Sequence, residues 1–130
     1  MQVLQPAGWA APRGYSNGIA ATGRQVFVAG QIGWSADGRI VSDDFAAQTR
    51  QALENTIAIL REAGAGPQHI VRMTWYVTDK AEYAAAGRAI GTAYKEVIGK
   101  HYPAMTLVQV AGLLEPGAKV EIESTAVVPD

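Results

Sequence analysis

Two stretches of the chain repeat their apolar residues with the period of a helix. The first stretch opens at residues 42–44, Ser-Asp-Asp, whose side-chain oxygens can accept free backbone N–H groups and so cap a helix. It ends at Gly64, with Gly66-Pro67 beyond it. The predicted helix buries one face, which carries Phe45, Thr49, Ala52, Leu53, Thr56, Ile57 and Leu60.

The second helical stretch lies between residues 78 and 99. Thr78 or Asp79 is the expected cap, and Gly99 stops the helix. Its apolar face is formed by Tyr83, Ala86, Ile90, Tyr94, Val97 and Ile98.

The first third of the chain has the pattern of strands and turns. Residues 1–17 contain two prolines and two glycines at short intervals, which predicts an irregular segment. Two apolar runs, Gly18 to Thr22 and Gln25 to Gln31, are separated by Gly-Arg, and this spacing predicts a β-hairpin. Asp37-Gly38 predicts a second tight turn, which leads into a short strand at Arg39 to Val41.

Three further strands are predicted in the rest of the chain. Ile70 to Thr78 is rich in β-branched and aromatic residues. Ala104 to Ala111 and Lys119 to Val128 close the chain, with a turn at Glu115-Pro116-Gly117. The order of elements is therefore strands, helix, strand, helix, strands.

This order favours an α/β (α+β) fold in which two helices cover one face of a mixed sheet, in a single domain of residues 1–130. In the strand at 104–111, neither face is polar enough to be left in water. A sheet face that stays apolar and uncovered usually packs against another subunit. We therefore expect a homo-oligomer.

Composition excludes several classes of function. Hydrophobic residues make up 48% of the chain, the net charge is −1, and the eleven Lys and Arg are scattered, so no basic patch for nucleic acid is evident. There is no cysteine for a disulfide, a thiol nucleophile or a zinc site, and two histidines are too few for a His-rich metal site. No basic leader and no apolar run of about 20 residues is found, so we expect a cytoplasmic protein without a membrane span.

A few residues are candidates for chemistry. Glu121 and Glu123 lie two apart on a strand, so they share a face with their Cβ atoms roughly 7 Å apart. They suit acid–base work, and the alternative is a solvated strand face. Trp9, Tyr15 and Trp34 lie in loops or at strand ends, where they either line a pocket or simply pack.

Several segments carry a resemblance to a known family, and they occur in order with nearly constant spacing. They are Gly14–Gly18, Val28–Ile32, Ala47–Asn55, Tyr102–Ala104 and Val120–Glu123. On these segments the chain resembles the Rid (reactive intermediate deaminase) family, also called YjgF or L-PSP. The resemblance implies a chorismate-mutase-like fold and a homotrimer with three clefts between subunits.

The resemblance also implies an activity and the residues that carry it. Typical members hydrolyse 2-imino acids and 2-aminoacrylate-type acids to 2-oxo acids and ammonia, without a cofactor or metal. An arginine that follows the Pro-Ala of the penultimate strand binds the substrate carboxylate, and in this chain that position is Met105. The catalytic positions are Glu121 and the backbone carbonyl of Leu107, which together position the attacking water.

The remaining candidate positions bind the substrate, and the resemblance implies the first of them. Tyr15 matches a tyrosine that lines the cleft, and Ala29, followed by Gly30, stands where a serine is often found. Trp34 is expected to flank the substrate. Arg13 is the candidate to replace the missing cation, ahead of Arg88 on the second helix.

Met105 changes the expected substrate. A thioether offers neither the charge nor the paired donors with which arginine binds a carboxylate. We therefore expect an enamine or imine hydrolase whose small-molecule substrate lacks a free 2-carboxylate or carries it masked as an ester or thioester. The alternative is a non-catalytic trimer that binds a small metabolite or a partner protein. A third option is an endoribonuclease or translation inhibitor, which the missing basic patch disfavours.

Overall fold

The computed structural model describes residues 1–130. It contains six strands, three α-helices and one 3₁₀ helix at Pro67–His69. In chain order the elements are β1 Gln2–Leu4, β2 Gly18–Ala20, β3 Arg24–Ile32, α1 Phe45–Glu62, β4 Ile70–Val77, α2 Lys80–Ala85, α3 Gly87–Val97, β5 Ala104–Gln109 and β6 Val120–Val128.

The main sheet is mixed and has the strand order β3-β6-β4-β5. β4 and β5 run parallel, whereas β6 is antiparallel to both β3 and β4. A core of 17 buried residues fills the space between this sheet and helices α1 and α3. The predicted fold class, helices on one face of a mixed sheet, is confirmed. None of the helices has the length and apolar character that crossing a membrane would require.

Helix α1 has the predicted start and the predicted buried face. The Asp44 side chain accepts a hydrogen bond from the Ala47 N–H at 2.9 Å and caps the helix. All seven residues of the predicted face are buried. Gln48 is buried with them, which the apolar pattern did not indicate, because its amide is fully paired with the backbone around Gly117 and Lys119.

The single helix predicted after residue 79 is two helices, α2 and α3. Asp79 is the cap, and its carboxylate accepts from the N–H groups of Ala81 and Glu82. Ala86 leaves helical geometry at φ −91°, ψ 7°, and Gly87 starts the next helix. The predicted inward face continues across the break, since Tyr83 and Ala86 pack partly buried against the core and Ile90, Tyr94 and Ile98 are buried.

The predicted hairpin between Gly18–Thr22 and Gln25–Gln31 is wrong. β2 pairs with β1, a strand inside the segment expected to be irregular, and β3 pairs with β6. Gly23 adopts φ +149° and lies so close to β6 that a Cβ there would come 2.1 Å from the Val128 carbonyl oxygen. The Gly-Arg step therefore passes the chain from one sheet to another instead of folding it back.

Two other sequence-based boundaries also change. The turn at Asp37-Gly38 is present, with Gly38 at φ +80°, but the expected strand at Arg39 to Val41 is reduced to one bridge between Trp34 and Ile40. β5 ends at Gln109, where the expected strand continued to Ala111.

Candidate functional site

Glu121 lies on the sheet face that the helices do not cover, with its carboxylate directly over Gly30. A Cβ at Gly30 would lie 2.1 Å from Glu121 Oε2, so only glycine leaves room for this arrangement. The pairing of β3 with β6 shifts register between Val28 and Gln31, which marks a β-bulge at this point. We call Ala29, Gly30 and Glu121 the carboxylate half of the site.

The two glutamates of β6 differ in their partners. Tyr76 on β4 donates its hydroxyl to Glu123 Oε1 at 2.5 Å, whereas Glu121 makes no side-chain hydrogen bond within the protein. The hydrogen bond to Glu123 raises the pKa of Tyr76, and the charge of Glu121 adds to the effect. At neutral pH the Tyr76 hydroxyl therefore stays protonated and keeps donating to Glu123. The Glu121 carboxylate is left free to bind a water molecule.

A second group of predicted residues lies on β5 or in the segment bonded to its start. Ser16 donates its N–H to the Pro103 carbonyl at 3.0 Å and its hydroxyl to the Tyr102 carbonyl at 2.5 Å. These two bonds fix Tyr15 beside the strand that carries Met105 and Leu107, which is the edge strand of the sheet. We call Tyr15, Met105 and Leu107 the β5 half of the site.

The two halves lie on different faces of the sheet within one protomer. Met105 is in register with fully buried Met73, on the helix-covered face. Glu121 is in register with Tyr76 on the open face, and β4 separates β6 from β5, so the strands are about 10 Å apart. One chain therefore does not bring Glu121 and Met105 together.

The other predicted residues lie apart from both halves or at the surface. Trp34 lines a shallow groove with Gln31 and Asn55, and its carbonyl accepts from the Asn55 amide at 2.9 Å. Arg13 is exposed and forms no ion pair. No group of three or more His, Asp or Glu is arranged to hold a metal ion.

Sequence reasoning missed Tyr76 and Arg72 on the open face. Arg72 lines a groove of about 480 Å³ there, together with Ala29 and Glu123. The sequence contained a signal for these residues. Residues two apart on a strand share a face, so Arg72, Thr74 and Tyr76 lie together on one face of β4.

The comparison with known families decides the assignment. The family model described as Endoribonuclease L-PSP matches residues 7–128 of the chain. The chain belongs to the YjgF/L-PSP (Rid) family. Its mixed sheet and the position of its helices agree with solved structures of this family.

Individual relatives cover most of this Rid-family chain. A RutC family protein from Pyrococcus abyssi is 36% identical over 113 residues, which are 86% of this chain and 84% of the relative. The human 2-iminobutanoate/2-iminopropanoate deaminase is 31% identical over 105 residues, 80% of this chain and 73% of the relative. The crystal structure of a Rid-family protein of unknown function from Yersinia pestis superposes with a TM-score of 0.83 at 35% identity, covering 98% of both chains.

Proposed function

We propose that this Rid-family protein hydrolyses an enamine or imine and releases ammonia. The proposed site is a cleft between subunits of a cytoplasmic homotrimer and needs no cofactor. Its substrate lacks a free 2-carboxylate or carries it masked. The observation that carries the proposal is the Glu121 carboxylate, which lies over Gly30 without a hydrogen-bond partner from the protein.

The proposed reaction needs only water and proton transfer. An enamine first takes a proton on its β-carbon and becomes an iminium ion. Glu121 then accepts a proton from a water molecule whose oxygen bonds to the iminium carbon, while the Leu107 carbonyl holds the second hydrogen of that water. Glu121 returns the proton to the nitrogen and the C–N bond breaks. Ammonia leaves, and the hydroxyl proton passes to solvent as the new carbonyl forms, which replaces the solvent proton taken up on the β-carbon.

The surroundings of Met105 support a substrate without a free carboxylate. Met105 is half-buried, and its neighbours Tyr15 and Leu107 are uncharged. Lys95 lines the same pocket as Met105, but a single ammonium lacks the paired donors with which an arginine binds a carboxylate. Losing one partner of a desolvated charge pair typically costs about 2–5 kcal/mol, which is enough to prevent recognition of a free 2-imino acid.

The separation of the two halves supports assembly of the site between protomers. The carboxylate half lies on the open sheet face, and that face also carries Phe27, which is 71% exposed. A second protomer packed against this face would cover Phe27 and could bring its own β5 half to Glu121. The human relative is named as an imine deaminase, which agrees with hydrolysis of a C=N bond.

The test compares Glu121→Gln with Glu123→Gln, the same change two residues along the same strand face. Ammonia release is followed with neutral or esterified enamines generated in place, such as methyl 2-aminoacrylate. Glu121→Gln should lower turnover by about 10²–10⁴-fold because it removes the basic oxygen. Glu123→Gln should keep turnover within about threefold, since Gln can still accept from Tyr76. Equal rates for wild type and Glu121→Gln, or no release above the buffer rate, would reject the proposal.

A further inference from the structure

The groove on the open sheet face holds a cation and an anion that do not pair within the chain. Its charged lining residues are Arg72 on β4 and Glu123 on β6. Arg72 is exposed and forms no ion pair. Strand register places Arg72 beside Thr125 and Thr74 beside Glu123, so the two charges are diagonal neighbours on adjacent strands. The single chain therefore leaves the guanidinium of Arg72 without a counter-charge.

Glu123 is only partly used by its own chain. Tyr76 donates to its Oε1 at 2.5 Å, and its Oε2 accepts no hydrogen bond from the protein. An ionised carboxylate accepts at both oxygens, so Oε2 can take a further donor while the bond from Tyr76 stays in place. A guanidinium suits this position, because hydrogen bonds between an arginine and a carboxylate are charge-assisted.

Exposed apolar side chains lie on both sides of these charges. Phe27 on edge strand β3 is 71% exposed, and Val108 on edge strand β5 is 39% exposed. A partner that covers both side chains also takes Arg72 out of water, and a buried charge without a partner is strongly destabilising. The covering surface must therefore bring a carboxylate to Arg72. A second copy of this chain does so with the free Oε2 of its own Glu123.

Arg72 can reach a neighbouring protomer across the edge of the sheet. It is in register with Ala104 on β5, whose methyl group leaves the path to the sheet edge open. β4 and β5 are about 4.8 Å apart, which is less than the length of an extended arginine side chain. Met105, the next residue after Ala104, belongs to the β5 half of the site. A protomer that brings its β5 half to another protomer therefore brings Arg72 with it.

We propose that Arg72 of one protomer binds Glu123 of the neighbouring protomer, so that an ion pair joins the two subunits beside each cleft. The guanidinium donates to Oε2 and Tyr76 keeps Oε1, which leaves the carboxylate of Glu121 free. The inference rests on the proposed function for the position of the cleft. The ion pair itself belongs to the assembly and does not require catalysis.

The test reverses the two charges separately and together. Arg72→Glu and Glu123→Arg each place like charges across the interface, and each should raise the dissociation constant of the trimer at least about 100-fold. The double variant restores opposite charges and should return to within about tenfold of the wild type. Arg88→Glu makes the same charge change on α3, in the helix layer, and should leave the dissociation constant unchanged. Sedimentation equilibrium over a dilution series measures all four variants.

Two results would overturn the inference. One is a dissociation constant for Arg72→Glu equal to that of Arg88→Glu, and the other is a double variant that assembles no more tightly than the single variants. Thermal melting checks that each variant is folded. If Arg72→Glu does not fold, Arg72→Gln keeps a polar side chain and should still weaken the trimer at least about tenfold, and an unchanged value would equally overturn the pair.

This test and the test of hydrolysis fail independently. Sedimentation needs no substrate, so an inactive protein can still show the ion pair, and an active trimer indifferent to charge reversal would overturn the pair alone. Glu123→Gln, the control in the hydrolysis test, keeps an acceptor oxygen for Arg72 as well as for Tyr76. Its trimer should therefore persist at micromolar concentration.

Discussion

We expect Met105 to influence which substrates the proposed site accepts. Met105 lies at the start of the edge strand β5, to which the segment of Tyr15 is bonded through Ser16. A methionine there favours apolar contact and gives no electrostatic selection for an anion. Wild-type protein should therefore accelerate the hydrolysis of 2-aminoacrylate little, although Glu121, the proposed catalytic carboxylate, is in place.

Changing Met105 should move the substrate preference in a measurable direction. Met105→Arg adds a bidentate donor for a carboxylate and should raise kcat/KM for 2-aminoacrylate at least about tenfold. Met105→Leu, the uncharged control, should leave that value near the wild-type level. Ammonia release under identical conditions measures both. A wild-type rate that matches an arginine-bearing relative would show that another cation, Arg13 first among them, already binds the carboxylate.

For individual residues, the sequence predicted which ones are candidates for the site but not how Glu121 and Glu123 differ. Spacing alone placed Glu121 and Glu123 on one face and gave no reason to prefer either. The difference comes from Tyr76, which is 47 residues away from Glu123 in sequence and reaches it only across the sheet. Similarly, the role of Gly30 depends on a register shift between two strands that no local pattern encodes.

Among the elements, helix α1 covers the sheet and also holds the loop that leads into β6. Gln48 is fully buried, and its side chain donates to the Gly117 carbonyl at 3.0 Å and accepts from the Lys119 N–H at 2.9 Å. These bonds fix the loop that leads into β6 and hence the strand that carries Glu121. Much of the Ala47–Asn55 motif therefore supports the site without entering it.

Gln48→Met should destabilise the protein while keeping the side-chain volume. The change leaves the Gly117 carbonyl and the Lys119 N–H without partners, at a cost of about 1–3 kcal/mol of unfolding free energy. Gln68→Met is the matched control, since Gln68 is exposed and makes no side-chain hydrogen bond, and it should change stability by less than about 0.5 kcal/mol. Thermal or denaturant unfolding at equal protein concentration provides the measurement. Equal stability of the two variants would contradict the structural role of Gln48.

The elements also show where sequence reasoning works. Helix α1 was predicted well because its apolar periodicity reports which face is buried. β4 was predicted from its β-branched and aromatic residues, and β6 from the turn that precedes it. The hairpin at residues 18–31 was wrong because strand pairing is a long-range property. β3 found its partner about a hundred residues away in β6, and a Gly-containing connection looks the same in either topology.

At the scale of the whole molecule, the structure of one chain leaves the proposed cleft incomplete. The carboxylate half lies on the uncovered sheet face and the β5 half at the sheet edge, on the other side of β4. Besides Glu121 and Glu123, the open face carries Arg72 and exposed Phe27, and arginine and aromatic residues are enriched at protein interfaces. The proposed function depends on a homotrimer. We expect sedimentation to show a trimer that does not dissociate at micromolar protein concentration.

Subunit mixing tests the central claim, a hydrolytic site shared between protomers, most directly. Glu121→Gln inactivates the carboxylate half, and Tyr15→Ala removes the exposed aromatic wall of the β5 half. Each variant alone should keep less than about one tenth of the wild-type ammonia release. The two variants are mixed in equal amounts, unfolded together and refolded. In randomly assembled trimers, about one quarter of the clefts then combine an intact carboxylate half from one subunit with an intact β5 half from its neighbour. The account predicts about one quarter of the wild-type rate for the mixed protein. A rate equal to the mean of the two variants would place the whole site within one chain and contradict the account.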